Sequence, residues 1–479
     1  MEKNYLSSVV WVVLAVVITL LGLYWLPSCE VGDWSMRKVD MLADLRNDSA
    51  MALLSHTDSV AGKSDRAKAA IPAPEVFLEG SHLTTDSHGN VVTVEDSIIN
   101  AVADLTASRT GVTSIIDLSG GANGGMSAFY QALAQAQGRP VRIAVLGDSF
   151  IEGDILTSKL RELLQQHFGG RGAGYVPMES TTAGFRRTIR QTFGGWTAHR
   201  AVDSQGYVGT YSNITGCYFN ASAGAWINLS GADSPYPHTT SCTSSSFYYV
   251  GGTGAGYATA IVNGTDTTHF SLTSGSTVGY AEVKGDIRSV RWSIRNPGNM
   301  VFLGASMDSE TGVIVDNFAM RSASGWHLKS IQPTMMSGFH QARPYDLVIV
   351  MYGLNVAGNR NSEYNNYCNM LMGAINNLKE GMPGASILIV GCSDRETRSG
   401  DGFHTMKGVL GLIQAQKRVA INCNVAFWNL YEAMGGEGSI VTMVNNGEAN
   451  RDYTHINMKG GDRIAKYLYD ALLLGFENR

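Results

Sequence analysis

The sequence predicts an α/β protein: a three-layer α/β/α domain around a mostly parallel sheet, interrupted by an inserted β-sandwich and preceded by an N-terminal transmembrane helix. Three observations carry this. Short apolar runs such as Val141–Leu146, Leu347–Met351 and Ser386–Val390 alternate with segments of helical spacing, the pattern of a parallel sheet covered on both faces. Between two such blocks, roughly Arg186–Val301 is poor in charge and rich in Gly, Ser, Thr and Tyr. Val9–Leu26 is an unbroken 18-residue apolar stretch near the N-terminus.

Length and composition set the frame. With 479 residues, 44% of them hydrophobic, the chain is long enough for more than one domain. Its 36 basic and 41 acidic residues leave a formal charge of −5, and no basic run points to nucleic acid. Six cysteines (29, 217, 242, 368, 392, 423) show neither CxxC nor Cys/His ligand spacing, so no zinc site and no cofactor is expected.

From the start, Val9–Leu26 has Trp11 near one end and Tyr24-Trp25 at the other, where an interfacial belt would sit. It reads as an uncleaved signal anchor with Lys3 on the cytoplasmic side and the rest exported. Leu26-Pro27-Ser28-Cys29 resembles a lipoprotein cleavage box, but Pro27 fits it poorly. Residues 1–29 are thus the anchor, and 30–120 a spacer and packing arm with short helices at Val39–Leu54 and Ser97–Leu105 and a linker at Ala70–Glu75. Residues 121–185 and 303–479 form the α/β domain, and 186–302 the insert.

Ser127–Gln137 reads as a helix beside the sheet. Val141–Leu146 reads as a buried strand, ending on Gly147, and Ile155–Phe168 as the helix that follows. That places Ser149 at the carboxyl end of a sheet and near a helix N-terminus, where ligands of open α/β sheets bind and negative charge is stabilised. A serine there is a nucleophile only if a base reaches it.

In the insert, Ser246–Val250, Tyr257–Val262 and Val290–Ile294 have strand propensity and are separated by turn residues. Trp196, Trp226 and Trp292 could offer a sugar-stacking face or simply fill a core. Cys217 and Cys242 are the best disulfide pair of an exported domain. The α/β pattern resumes with Gly312–Ala319, Leu347–Met351, a helix over Asn361–Glu380, the strand Ser386–Val390, a helix over Phe403–Ala420, and the last strand Val425–Trp428.

The base is supplied near the end, by Arg451-Asp452-Tyr453-Thr454-His455. An Asp three residues before a His can hold one imidazole nitrogen and leave the other to take the Ser149 proton. The plain alternative is a capping Asp and a surface His before the helix Gly460–Leu474. Glu152 and Asp154 read less well as a glycosidase pair, lying in one local turn. His404 and Arg395 are pocket-lining or ordinary surface residues.

With these residues in order, the sequence resembles the SGNH (GDSL-type) esterases over roughly Ser127–Leu474. Gly147-Asp148-Ser149 matches their first block and Asp452/His455 their last. Gly353-Leu354-Asn355 matches the central block, with Val356 where an acid is usual. Asn317–Ser322 matches the remaining block, with Ser322 where Gly is usual. The resemblance implies catalytic Ser149, Asp452 and His455, and an oxyanion hole from the Ser149 and Ser322 N–H groups and the Asn355 side chain. Ile151–Asp154, Phe168–Met178 and Phe427–Gly438 look like an exported bacterial branch that includes peptidoglycan O-acetylesterases with an inserted β-domain. The expectation is a membrane-anchored deacetylase of an acetylated glycan, peptidoglycan favoured, in the periplasm or at the cell surface. An O-acetyltransferase using the same intermediate and a decayed, membrane-anchored glycan-binding protein are the alternatives.

Overall fold

A computed structural model describes residues 112–479 except 122–123, 204, 233–234, 255, 276, 359–363 and 401, with four short strands before them. The chain divides into Met1–Glu75 and Val76–Arg479. In the first unit, Glu30–Val31 pairs antiparallel with Trp34–Ser35. The expected membrane helix, the helices Val39–Leu54 and Ser97–Leu105 and the Ala70–Glu75 linker lie outside the described residues. Among those described, no helix is long and apolar enough to cross a membrane.

The second unit is built on a six-stranded sheet in the order Gly312–Ala319, Pro140–Gly147, Leu347–Met351, Ser386–Val390, Ala426–Trp428, Ile116–Asp117. Its first five strands are parallel and the last is antiparallel, so the sheet is mixed. The antiparallel edge comes from a segment read as spacer. Val141, Ile143, Val145 and Leu146 are fully buried, as an apolar run flanked by strands and covered on both faces must be. Helices pack in two groups: Met126–Ala134, Thr157–Phe168 and Met458–Glu477 in one, Trp326–Lys329, Pro333–Ala342, Asn365–Gly381 and Lys407–Cys423 in the other.

The segment Phe403–Ala420 is not one helix. Phe403 lies in the strand Gly402–Thr405, paired with Glu396–Ser399, and the helix begins at Lys407. Periodicity from Val409 onward is helical, but Gly402 at φ +153° and the Phe-His-Thr run favour a hairpin before it.

The β region is one hydrogen-bonded network of nine strands, from Gly174–Pro177 to Val301–Met307. Its long strand Cys217–Gly231 pairs with Ser289–Arg295 through Trp226–Ser230, and with Val301–Met307 at Phe219. Its inward apolar side chains form a core, where Trp292 stacks on Phe247 at 5.3 Å and donates to Ser245 Oγ at 3.0 Å. Trp292 and Trp196 are core residues at 0% and 8% exposure, and the Arg291 guanidinium covers Trp226 at 3.9 Å. Trp196 and Trp292 thus fill the core. Cys217 and Cys242 are both free thiols. Their strands flank Val301–Met307, about 10 Å apart at two strand spacings, whereas a disulfide needs roughly 7 Å or less between Cα atoms.

A buried ion cluster joins the β region to the sheet. Arg343 donates to Asp308 of the β region (2.5 and 3.0 Å) and to Asp316 of Gly312–Ala319 (2.6 and 2.8 Å). Tyr345 OH donates to Asp316 at 2.6 Å, and Arg343 also reaches Tyr248 OH at 2.9 Å.

Candidate active site

The turn that carries Ser149 follows from the end of its strand. A Cβ on Gly147 would lie 2.6 Å from Ile151 Cδ1 and 2.9 Å from Met351 O, so only glycine lets the chain turn there. Asp148 caps the 3-10 turn Ser149–Asp154, its Oδ1 accepting from Phe150 N–H at 3.0 Å. Burial pushes the Asp148 carboxyl up to about 6, against the pull of the Phe150 N–H and of nearby His455.

Asp154, at φ +66°, closes the turn. It is buried and holds Arg161 at 3.1 Å, Arg186 at 2.9 Å and the Thr188 hydroxyl. Burial opposes its ionisation, but the two guanidinium groups outweigh that and hold the carboxyl well below the usual range. It is a fully paired anchor, not half of a glycosidase pair. Asn317 secures the same turn, donating to Ile151 O at 2.7 Å and Thr157 Oγ1 at 2.8 Å.

The loop that carries Asp452 and His455 lies before the last helix. Asn450 N–H donates to His455 O at 2.8 Å, closing a loop in which Tyr453 takes φ +54°. Asp452 Oδ1 accepts from the N–H groups of Thr454 and His455, each at 3.0 Å, leaving Oδ2 for His455 Nδ1 at 2.8 Å. Asn457, not Asp452, caps the helix Met458–Glu477. His455 Nε2 then meets Ser149 Oγ at 2.9 Å.

The residues separated by 306 positions therefore form one hydrogen-bonded line. An ionised carboxylate only accepts, so Nδ1 carries the imidazole proton and Nε2 is the free acceptor. Burial favours the neutral form of Asp452, but bonds from His455 and Thr454 overcome it and lower the carboxyl to about 2. The hydrogen bond to Asp452 raises His455 above its ordinary value, against burial.

Ser322 has φ +64°, a left-handed backbone that glycine adopts most readily. Its loop is tied to the strand Pro140–Gly147 by Met320 N–H on Gly147 O at 2.9 Å. Asn355 Nδ2 donates to Ala323 O at 2.8 Å, so Asn355 and the Ser322 loop are neighbours. Val356 packs partly buried against the sheet's core, which is why an apolar residue suits that place.

Arg395 Nη1 donates to Leu354 O at 2.9 Å, a structural tie. His404 is exposed, 3.8 Å from Glu437. The sequence reading missed a further contact: Arg321 binds Glu152 through two bonds. Opposite charges in two motif blocks, one beside Ser322, were its available signal.

No protein-family model and no curated protein sequence matches the chain. Among solved structures it is similar to a peptidoglycan O-acetylesterase at 23% identity and a TM-score of 0.63, covering 76% of this chain and 99% of that one. The two share a fold. A family two carbohydrate esterase from Cellvibrio japonicus (10% identity, 60% and 99% covered) and a Bacillus subtilis protein (11%, 59% and 90%) have TM-scores of 0.25 and 0.30, too low to carry an argument.

Proposed function

We propose that the protein is a serine esterase that removes O-acetyl groups from a polysaccharide, peptidoglycan foremost, through an acyl-enzyme on Ser149. The observation that carries this reading is the unbroken hydrogen-bond line Asp452–His455–Ser149. His455 Nε2 takes the Ser149 proton as Oγ attacks the ester carbonyl, and Asp452 stabilises the resulting imidazolium. The same imidazolium protonates the departing sugar oxygen. Water, deprotonated by His455, then releases acetate and restores Ser149.

Charge on the tetrahedral oxygen falls to the N–H groups of Ser149 and Ser322 and the Asn355 amide. One such donor is commonly worth about 10²–10³ in rate. The choice of substrate rests on the shared fold with a peptidoglycan O-acetylesterase. The apolar stretch Val9–Leu26 supports an anchored enzyme acting on the exported face of a bacterial membrane. The complete Ser149–His455–Asp452 set favours a working enzyme over a binding-only relic.

Mass spectrometry of the protein quenched during turnover of an aryl acetate tests the intermediate. One acetyl group on the Ser149 peptide, absent from Ser149→Ala, is expected; turnover without it, or persisting in Ser149→Ala, contradicts the reading.

A further inference from the structure

Most large aromatic side chains in the described chain are buried, but Phe185, Tyr257, Tyr280, Trp326 and Phe403 are exposed at 46, 41, 51, 45 and 37%. Tyr257 and Tyr280 belong to the β region. Each of the other three sits on or against a segment that carries one part of the catalytic group.

Phe185 covers the nucleophile turn: a Cβ on Gly153 would lie 2.1 Å from its Cε2. Its backbone is pinned by the next residue, Arg186, which pairs with buried Asp154 at 2.9 Å. Phe403 stacks on Tyr453 at 3.9 Å and 28°, two residues before His455. Its hairpin is docked there by Glu396 N–H on Tyr453 O at 3.1 Å. Trp326 opens the short helix Trp326–Lys329, four residues after Ser322. Gly325 before it has φ +87° and lies against the Tyr352 ring, where a Cβ would meet Cδ2 at 3.0 Å.

We propose that Phe185, Trp326 and Phe403 are stacking positions for the pyranose rings of the glycan chain whose ester reaches Ser149. This rests on the esterase reading and deepens it: the substrate is a polymer engaged beyond its ester, not a small acetate. Exposed aromatic surface is unfavourable in water, and three such rings on the three segments that carry the catalytic group offer that surface to a ligand. Charged side chains open to solvent lie on the same segments: Arg321, 70% exposed, precedes Ser322, and Asp452, 47% exposed, precedes Tyr453. A fatty acyl chain or an amphipathic helix would need a continuous apolar groove. A sugar chain presents apolar C–H faces and hydroxyls in alternation, matching rings interspersed with charge. Rings held by their neighbours also lose little entropy on binding.

The test uses full-length Ser149→Ala, which binds without turnover, titrated with N-acetylglucosamine oligomers of increasing length. Calorimetry and tryptophan fluorescence are the readouts. Affinity should grow with length, with a fluorescence change lost in the added Trp326→Ala. Trp326→Ala and Phe403→Ala should each weaken binding about 3- to 10-fold, the range for one aromatic contact. Phe403→Tyr and Trp326→Phe, which keep a ring, should stay near the parent and serve where an alanine variant fails to fold. Absence of binding at every length, or alanine variants that melt like the parent and bind as well, would overturn the proposal.

Aryl acetate turnover by the wild-type chain separates the two claims. Turnover that needs Ser149, without ring-dependent oligomer binding, removes the stacking positions and keeps the esterase. Ring-dependent binding without turnover does the reverse.

Discussion

Arg321 closes on Glu152 through Nε to Oε2 at 3.0 Å and Nη2 to Oε1 at 2.5 Å, and so ties the residue before Ser322 to the turn that begins with Ser149. A two-pronged guanidinium–carboxylate contact fixes orientation as well as distance. Arg321 is 70% exposed, so screening limits the pair to about 1 kcal/mol or less.

Loosening this contact should therefore affect rate more than stability. Glu152→Gln and Arg321→Ala should each lower kcat on an aryl acetate about 3- to 10-fold with little change in KM. The double variant should be no worse than the poorer single one. Additive losses in the steady-state constants would mean the two residues act separately.

The His455–Asp452 bond sets the pH dependence. Proton abstraction requires neutral His455, whose pKa the Asp452 carboxylate raises above the ordinary 6.5. Activity should rise with pH through a limb above that value. Asp452, lowered to about 2, stays ionised throughout. Asp452→Asn removes the charge that favours the imidazolium, so the limb should move to lower pH. The rate should also fall by about 10³–10⁴ as the tautomer is lost. A pH–rate profile of both proteins decides; an unmoved limb would mean that another group titrates.

Ser322 bears on the backbone alone. A serine at φ +64° costs about 1 kcal/mol relative to glycine, roughly offset by the freedom glycine gains when unfolded. Ser322→Gly should keep full activity and melt within a few degrees of the parent. Ser322→Val, β-branched at positive φ, should displace the N–H and lose at least about 10-fold in kcat. An active Ser322→Val would exclude this N–H from the oxyanion site.

Much of this site is legible in the sequence because its parts are local signals. Gly147-Asp148-Ser149 follows an apolar strand, and Asp452 precedes His455 within one loop, so each half predicts its own geometry. What joins them is not local. The edge strand Ile116–Asp117 is too short for a periodic signal and owes its place to pairing with Ala426–Phe427. Phe403 lies beside a strongly helical stretch that masks it in the sequence, although Tyr453 and Glu396 hold it in a hairpin. Trp196 and Trp292 carry the composition of a binding face, but only folding reveals that they point into a core.

Arg343 ties the β region to the sheet through two buried carboxylates. Arg343→Leu would leave Asp308 and Asp316 buried without their counter-ion, a loss of about 3–5 kcal/mol. Burial opposes ionised Asp316, but Arg343 more than compensates and lowers its pKa below the unfolded value. The stability from Asp316 is thus fully present above about pH 4–5 and fades as pH falls through the folded value. Thermal melts of both proteins from neutral to acid pH test this. The variant should melt lower at neutral pH, with the gap narrowing in acid; coincident melts would refute the role.

Ser149 is proposed to carry an acetyl group from a glycan to water. The direct measurement is acetate release from O-acetylated peptidoglycan, with acetylated xylan alongside, by the wild-type chain and Ser149→Ala. Release by the wild type, faster from peptidoglycan, and none above background from the variant is the expected result. Equal release by the two proteins, or none by the wild type from either polymer, would contradict it.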